Sequence, residues 1–146
     1  MKLSVKGADA IRRFEGCVLK AYKCPAGVWT IGYGHTGSEV REGLTWLQHE
    51  ANAAFLKDIA RFESAVEAVV IQPISQSQFD ALVSLEFNIG VAAFHSSTLL
   101  KKLNAGDHVG AACQFARWCK VGGEYNEGLA LRRASELYTF ARGCPS

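Results

Sequence analysis

The sequence lacks the features that would place it in a membrane or in a chain of linked modules. None of its apolar runs approaches the roughly 18 residues that cross a bilayer. Its first residues, MKLSVKGADAIRRFEG, alternate charged and small side chains and contain no hydrophobic signal core. Three prolines and no low-complexity stretch leave no candidate linker. We therefore expect a single domain over residues 1–146, synthesised in the cytosol, with no direct membrane insertion.

Paired cysteine motifs are also absent. The chain has five cysteines, an odd number, and no two of them have the spacing of a CxxC motif or of a zinc site. We expect free thiols in a reducing compartment. The positions are Cys17, Cys24, Cys113, Cys119 and Cys144.

Charge of either sign is modest, but it is unevenly distributed. The chain is 49% apolar and 21% charged, which is typical of a globular protein, and its net charge is +2. Residues 1–46 carry a net +3, residues 47–94 a net −4 and residues 95–146 a net +3. Basic ends suit an anionic partner such as cell wall or nucleic acid, although a normally solvated surface would have the same pattern.

The first 45 residues predict a helix followed by a hairpin. Ser4 can cap a helix that runs to about Glu15, where Gly16 supplies a left-handed terminator. Two aromatic and β-branched runs then flank Pro25-Ala26-Gly27, which predicts a tight turn. Alternation places Thr30 on the face opposite its large apolar neighbours, where its hydroxyl faces either a cleft or plain solvent.

The rest of the chain predicts helices. A capping box at Thr45 opens a long amphipathic helix that ends before Pro73, and a second capping box begins at Ser75. Shorter helices follow, one from Ser97 and one from Asp107 to about residue 120, and Gly122-Gly123 separates them from a last helix. We predict an α+β fold with a hairpin-bearing lobe (1–45), a bridging helix (46–72) and an all-helical lobe (73–146). A cleft between lobes is the expected ligand site.

Residues 14–36, FEGCVLKAYKCPAGVWTIGYGHT, contain one carboxylate, Glu15, and the next acid is Glu39. At the carboxyl end of a helix, unpaired carbonyl groups disfavour an ionised carboxylate, so Glu15 is suited to act as a general acid. The segment therefore contains no second carboxylate for another proton-handling role.

This segment resembles the phage endolysins of glycoside hydrolase family 24. Their motif is a glutamate, eight residues, an aspartate or cysteine, five residues and a threonine, which here falls on Glu15, Cys24 and Thr30. The likeness continues through QFDALVSLEFNIG, STLLKKLNAGD, FARW and GLALRRASELY, in order along almost the whole chain. Glu86 departs from the pattern, since this helix usually has a small apolar residue there.

The resemblance implies a lysozyme-like fold, no metal, no organic cofactor, and hydrolysis of the β-1,4 bond between N-acetylmuramic acid and N-acetylglucosamine. Glu15 would be the acid, and Cys24 with Thr30 would hold and activate water. Family-like positions at Thr36, Phe87 and Ser97 would contact sugar, although Phe87 is equally well explained as core. We expect His35 to be structural. Since Arg132 and Arg133 are adjacent on a helix, we expect only one of them to turn inward, towards a carboxylate such as Glu15.

Two other functions stay open at this point. A lytic transglycosylase also uses one glutamate and needs no second carboxylate, and a non-catalytic wall-binding module could use the same fold. We expect a monomer, and the resemblance implies that its partner is peptidoglycan rather than nucleic acid. The enzyme would remain in the host cytoplasm until a separate holin opens the membrane, and would then act on the periplasmic cell wall.

Overall fold

The computed structural model describes residues 1–146 as seven α-helices, one 3₁₀ helix and four short strands. In chain order they are α1 (Val5–Glu15), β1 (Val18–Lys23), β2 (Trp29–Gly32), α2 (Gln48–Val69), α3 (Gln76–Ile89), α4 (Val91–His95), α5 (Thr98–Asn104), α6 (His108–Gln114), the 3₁₀ helix (Phe115–Arg117), β3 (Lys120–Val121), β4 (Glu124–Tyr125) and α7 (Glu127–Ala141). No helix combines the length and the apolar character that crossing a membrane requires.

The chain forms two compact units. Residues 9–61 form the first, called here the hairpin unit, and residues 1–8 with 62–146 form the second, the helical unit. The chain passes between units inside α1 and inside α2.

The hairpin unit is built on the antiparallel pair β1–β2. Its turn is closed by two backbone hydrogen bonds, from Gly27 N–H to Cys24 C=O at 2.8 Å and from Cys24 N–H to Val28 C=O at 3.0 Å. Gly27 has a φ of 80°, which a side chain would strain, so this glycine is required where the loop rejoins β2. The predicted hairpin and its Pro-Ala-Gly turn are confirmed.

One face of this hairpin packs into a hydrophobic cluster. Buried Ala21 and Ile31 contact Val40, and Trp29, Leu44 and Trp46 pack against them. Thr30 lies on the opposite face, as the alternation predicts.

Helix α2 begins later than predicted. Thr45 pairs with Lys20 of β1, and the Trp46 N–H donates to the Leu19 carbonyl at 2.8 Å, so these residues continue the sheet instead of capping a helix. The Glu50 carboxylate instead accepts from the Leu47 N–H at 2.9 Å, next to the first helical residue. The apolar face of α2 is buried as predicted from Ala51 to Val66, whereas Leu47 is 63% exposed.

The helical unit confirms most of the predicted caps. Ser75 and Gln78 form both hydrogen bonds of a capping box at α3, and Ser97 and Asp107 cap α5 and α6. Helix α3 is enclosed on all sides, because the nine residues from Gln78 to Glu86 are all buried.

The prediction of an all-helical second lobe is wrong in one detail. Helix α6 ends at Gln114, and residues 120–125 form the β3–β4 hairpin. Gly122 and Gly123 have φ values of 57° and 84°, and two consecutive positive φ angles are typical of a two-residue hairpin turn. Gly-Gly between two short β-prone pairs was therefore a turn signal and not a break between helices.

Candidate active site

Glu15 is the last residue of α1, as the sequence predicts. Gly16 follows with a φ of 68°, and its N–H donates to the Arg12 carbonyl at 2.9 Å. This left-handed residue ends the helix and turns the chain into β1. Glu15 is only partly buried.

Cys24 and Thr30 lie on one face of the hairpin. Tyr22 is directly opposite Thr30 in the strand register, and side chains that face each other across an antiparallel pair point to the same side. Cys24 is two residues after Tyr22, so alternation returns it to that face. The Val28 carbonyl also accepts from both residues, from the Cys24 N–H and from the Thr30 hydroxyl, each at 3.0 Å. The hairpin thus brings together two of the three motif residues.

The surroundings of Cys24 favour its thiolate. Hydrogen bonds from the backbone N–H groups of Val28 and Ala26 lower the pKa of the Cys24 thiol, burial opposes them, and the Thr30 hydroxyl adds to the lowering. The side chain is partly buried, so solvent still reaches it. A lower pKa increases the fraction of thiolate at neutral pH, so the sulfur is more often in the form that can accept a proton or act as a nucleophile.

Thr30 is buried, with 5% of its surface exposed, so the alternative of a solvent-facing threonine is wrong. Its single hydroxyl hydrogen has two acceptors within reach, the Val28 carbonyl and the Cys24 sulfur. When Cys24 is a thiol the hydrogen can bond to the carbonyl, and when Cys24 is ionised it can turn to the sulfur.

The three expected sugar contacts differ in their surroundings. Thr36 is exposed and belongs to the hairpin unit, as the motif residues do. Phe87 and Ser97 belong to the helical unit, where the Phe87 ring packs on Phe62 with centroids 5.0 Å apart. The Ser97 hydroxyl donates to the Phe94 carbonyl at 2.7 Å and accepts from the Leu100 N–H at 3.1 Å. Ser97 is only 5% exposed, and all three sugar contacts stay predictions.

His35 lies between two carboxylates that the sequence did not associate with it. Its Nδ1 is 2.7 Å from Asp58 Oδ2, and its Nε2 is 2.6 Å from Glu39 Oε1. Burial lowers the pKa of His35, but the hydrogen bonds and negative charges of Glu39 and Asp58 outweigh it, and the pKa is raised. The hydrogen bond from His35 is in turn the main cause of a lowered pKa at Glu39. Both shifts favour a charged His35 that ties its loop to α2.

These shifts predict how stability depends on pH. Because the pKa of His35 is raised, its contribution is complete below its ordinary value of 6.5 and is lost as pH rises through the folded value. Because the pKa of Glu39 is lowered, its contribution is complete above 4.5 and is lost as pH falls. The loss of unfolding free energy in His35→Asn should therefore be largest between these two pH values and should shrink above neutral pH. Urea unfolding of both proteins across this range measures it, and a pH-independent difference would contradict it.

Arg132 and Arg133 correct the expectation that only one of them turns inward. Both are buried, and both pair with Glu136, at 3.2 Å from Arg132 Nε and at 2.7 Å from Arg133 Nε. Residues three and four positions before Glu136 lie on the same side of the helix as it does, so long guanidinium stems can converge there. Burial raises the pKa of Glu136, while the two guanidinium groups hold its ionised form. Ser84 of α3 completes the network with a hydrogen bond to Glu136.

Comparison with known proteins places this geometry in a family. The model of the family described as phage lysozyme matches residues 12–136. The chain belongs to the phage lysozyme family. This membership confirms the resemblance and makes the protein a peptidoglycan-degrading enzyme, and Glu15, Cys24 and Thr30 all lie inside the matched range.

Individual relatives of this phage lysozyme agree. The endolysin of Acyrthosiphon pisum secondary endosymbiont phage 1 is 45% identical over 144 residues, covering 96% of this chain and 98% of the relative. The endolysin of Bacillus phage PZA is 42% identical over 147 residues, but this chain spans only 57% of its length. The structure of the muramidase domain of SpmX from Asticaccaulis excentricus has a TM-score of 0.87 at 40% identity, covering 95% of this chain and 97% of that domain. The predicted lysozyme-like fold is confirmed.

The structure contains a cavity away from the motif residues, but no cluster of side chains suited to a metal ion. No group of three or more His, Cys, Asp or Glu side chains is arranged to hold a metal ion. In the helical unit, an open cavity of about 440 Å³ is lined mainly by apolar side chains and by Glu67, which pairs with the amino-terminal ammonium group. None of the motif residues lines this cavity.

Proposed function

We propose that this phage lysozyme is a muramidase that hydrolyses the β-1,4 bond between N-acetylmuramic acid and N-acetylglucosamine. The observation that carries the proposal is the pairing of Cys24 and Thr30 on one hairpin face, with backbone N–H groups that lower the pKa of the thiol. This pair provides a base where most hydrolases of this type need a second carboxylate. The printed description of SpmX as a muramidase domain adds support at 40% identity.

Glu15 supplies the acid in this mechanism. Cleavage of a glycosidic bond passes through an oxocarbenium-like state, and the leaving oxygen must receive a proton as its bond breaks. Glu15 is the last residue of α1 and is only partly buried. Its proton passes to O4 of N-acetylglucosamine, and Glu15 becomes ionised.

Cys24 and Thr30 supply the attacking water. The ionised sulfur accepts one water proton, and the Thr30 oxygen can accept a hydrogen bond from the other, which fixes the direction of the water lone pair. The water O–H bond breaks towards sulfur while its oxygen bonds to C1 of N-acetylmuramic acid. Cys24 is then a thiol, and the Thr30 hydrogen returns to the Val28 carbonyl at 3.0 Å. Cys24 then releases its proton to solvent and Glu15 takes up a proton from solvent, which restores the starting protonation state of both groups.

The proposal also covers the glycan contacts, the oligomeric state and the release of the enzyme. Thr36, Phe87 and Ser97 are proposed to contact the glycan, and peptidoglycan is the proposed partner of a monomeric enzyme. Release from the host cytoplasm through a holin lesion also remains a prediction.

Product analysis tests the reaction class. Purified peptidoglycan digested by the enzyme should release chains that end in N-acetylmuramic acid with a free, borohydride-reducible C1. Mass spectrometry that finds 1,6-anhydromuramic acid instead would replace the proposal with a transglycosylase. Intact strands in the same digest would leave only a wall-binding module.

The charge pattern predicts salt-sensitive lysis. Residues 1–46 and 95–146 each carry a net +3. Burial of Arg132, Arg133 and Glu136 withdraws one net positive charge from the surface of the second of these segments. Attraction between exposed charges and a polyanionic wall is screened over about 10 Å at 0.1 M salt. Clearing of a permeabilised cell suspension should slow severalfold between low salt and 0.3 M salt. Cleavage of a neutral oligosaccharide is the control and should not change; equal lysis rates at both salt concentrations would reduce the pattern to surface solvation.

A further inference from the structure

Tyr22 is an aromatic side chain on the same hairpin face as Cys24 and Thr30. It is directly opposite Thr30 in the register of β1 and β2, and it precedes Cys24 by two residues. Side chains opposite each other in an antiparallel pair have Cβ atoms about 5 Å apart. Tyr22 is therefore the large side chain closest in register to the proposed water site.

The exposures of the pair suggest how Tyr22 is used. Thr30 is only 5% exposed although it lies on the face away from the core, whereas Tyr22 is 39% exposed. Part of the Tyr22 side chain is therefore open to a ligand, while Thr30 beside it is almost fully covered. A partly exposed aromatic ring stabilises a two-stranded sheet less than a buried ring would. Ligand sites, by contrast, commonly have aromatic side chains in their walls.

We infer that Tyr22 is a substrate-binding residue whose exposed ring surface packs against the pyranose ring held over Cys24 and Thr30. The inference rests on the proposed function, because it places the sugar at that water site. The ligand is the apolar C–H face of an N-acetylated hexose, and the phenol hydroxyl contributes little. Tyr22 then sets the affinity for the glycan and takes no part in moving protons.

The test measures glycan binding without turnover. In a Glu15→Gln background, titration calorimetry with a neutral N-acetylglucosamine oligomer compares Tyr22→Phe, Tyr22→Val and a control, Tyr138→Leu, which removes a 68% exposed tyrosine from α7. Loss of the ring in Tyr22→Val should weaken binding by about five- to tenfold, the order expected for one aromatic contact. Tyr22→Phe and Tyr138→Leu should bind as the background does. Tyr22→Thr, which also suits a strand, repeats the test if the valine variant unfolds.

A second readout separates sugar contact from a purely structural role. The pH dependence of Cys24 alkylation by iodoacetamide should be the same in Tyr22→Val and in the wild type, and in the active enzyme KM should rise while kcat stays within about threefold. Unchanged affinity would overturn the inference, and so would weakened affinity accompanied by a shifted alkylation profile, because the substitution would then have disturbed the site itself. Failure of the proposed function would appear elsewhere, as activity in Glu15→Gln or as anhydro products, since sugar affinity is measured here without catalysis.

Discussion

Glu15→Gln should abolish lysis while the protein remains folded. The amide keeps the shape and the hydrogen-bonding capacity of the carboxyl group at the end of α1, but it has no proton to give to the leaving oxygen. A positioned general acid contributes about 10²- to 10⁴-fold to the rate, so kcat on a soluble oligosaccharide should fall by that factor. Because the change is isosteric, the thermal unfolding midpoint should stay near that of the wild type.

The matched control is Glu42→Gln, which removes an exposed carboxylate from the same unit. It should retain full activity, which separates loss of the acid from loss of one negative charge. Retention of more than about a tenth of wild-type activity by Glu15→Gln would remove Glu15 from the role of acid.

Substitutions at Cys24 should rank by whether the new side chain is ionised at neutral pH and can accept a proton from water. Cys24→Ala should lose most activity, because no group remains to accept the water proton. Cys24→Asp should keep much of it, because a carboxylate is ionised at neutral pH and can act with Thr30 on the same water. Cys24→Ser should be nearly as inactive as the alanine variant, since its hydroxyl is far too weak an acid to ionise. Full activity in Cys24→Ala would reduce position 24 to packing.

Alkylation provides an independent check of the same residue. Iodoacetamide should inactivate the wild type, and faster than it alkylates an ordinary thiol, because Val28 and Ala26 lower the pKa of Cys24. Cys24→Asp should resist the reagent even though Cys17 and Cys113 are exposed. Equal inactivation of Cys24→Asp would point to another thiol. Adding Cys17→Ser to that variant would show whether the thiol is Cys17, which is two residues after Glu15.

Local sequence signals predicted the hairpin and the placement of its side chains. The Pro-Ala-Gly turn and strict alternation sufficed to place Thr30 opposite the core face, because both depend on residues within a few positions of each other. The same alternation places Tyr22 on the same face as Cys24, so the sequence alone can also predict this aromatic neighbour of the motif.

Contacts between distant segments could not be predicted. The carboxylate of Asp58 meets His35 across 23 positions of sequence, which no local pattern encodes. Thr45 matched a capping box by composition, but its backbone pairs with β1, and that pairing decides where α2 begins. Arg132 and Arg133 start in different directions from their helix, but their long side chains allow both to reach Glu136.

The measurement that tests the central claim most directly is the anomeric configuration of the freshly released product. If Cys24 and Thr30 activate a water that attacks C1 from the face opposite the leaving group, cleavage of the β-linked bond must first give the α-anomer of N-acetylmuramic acid. Time-resolved ¹H NMR during digestion of a defined glycan, faster than mutarotation, should show the α-anomer accumulating first. Initial release of the β-anomer would contradict the account, because it requires a covalent or substrate-assisted intermediate in place of direct attack by that water.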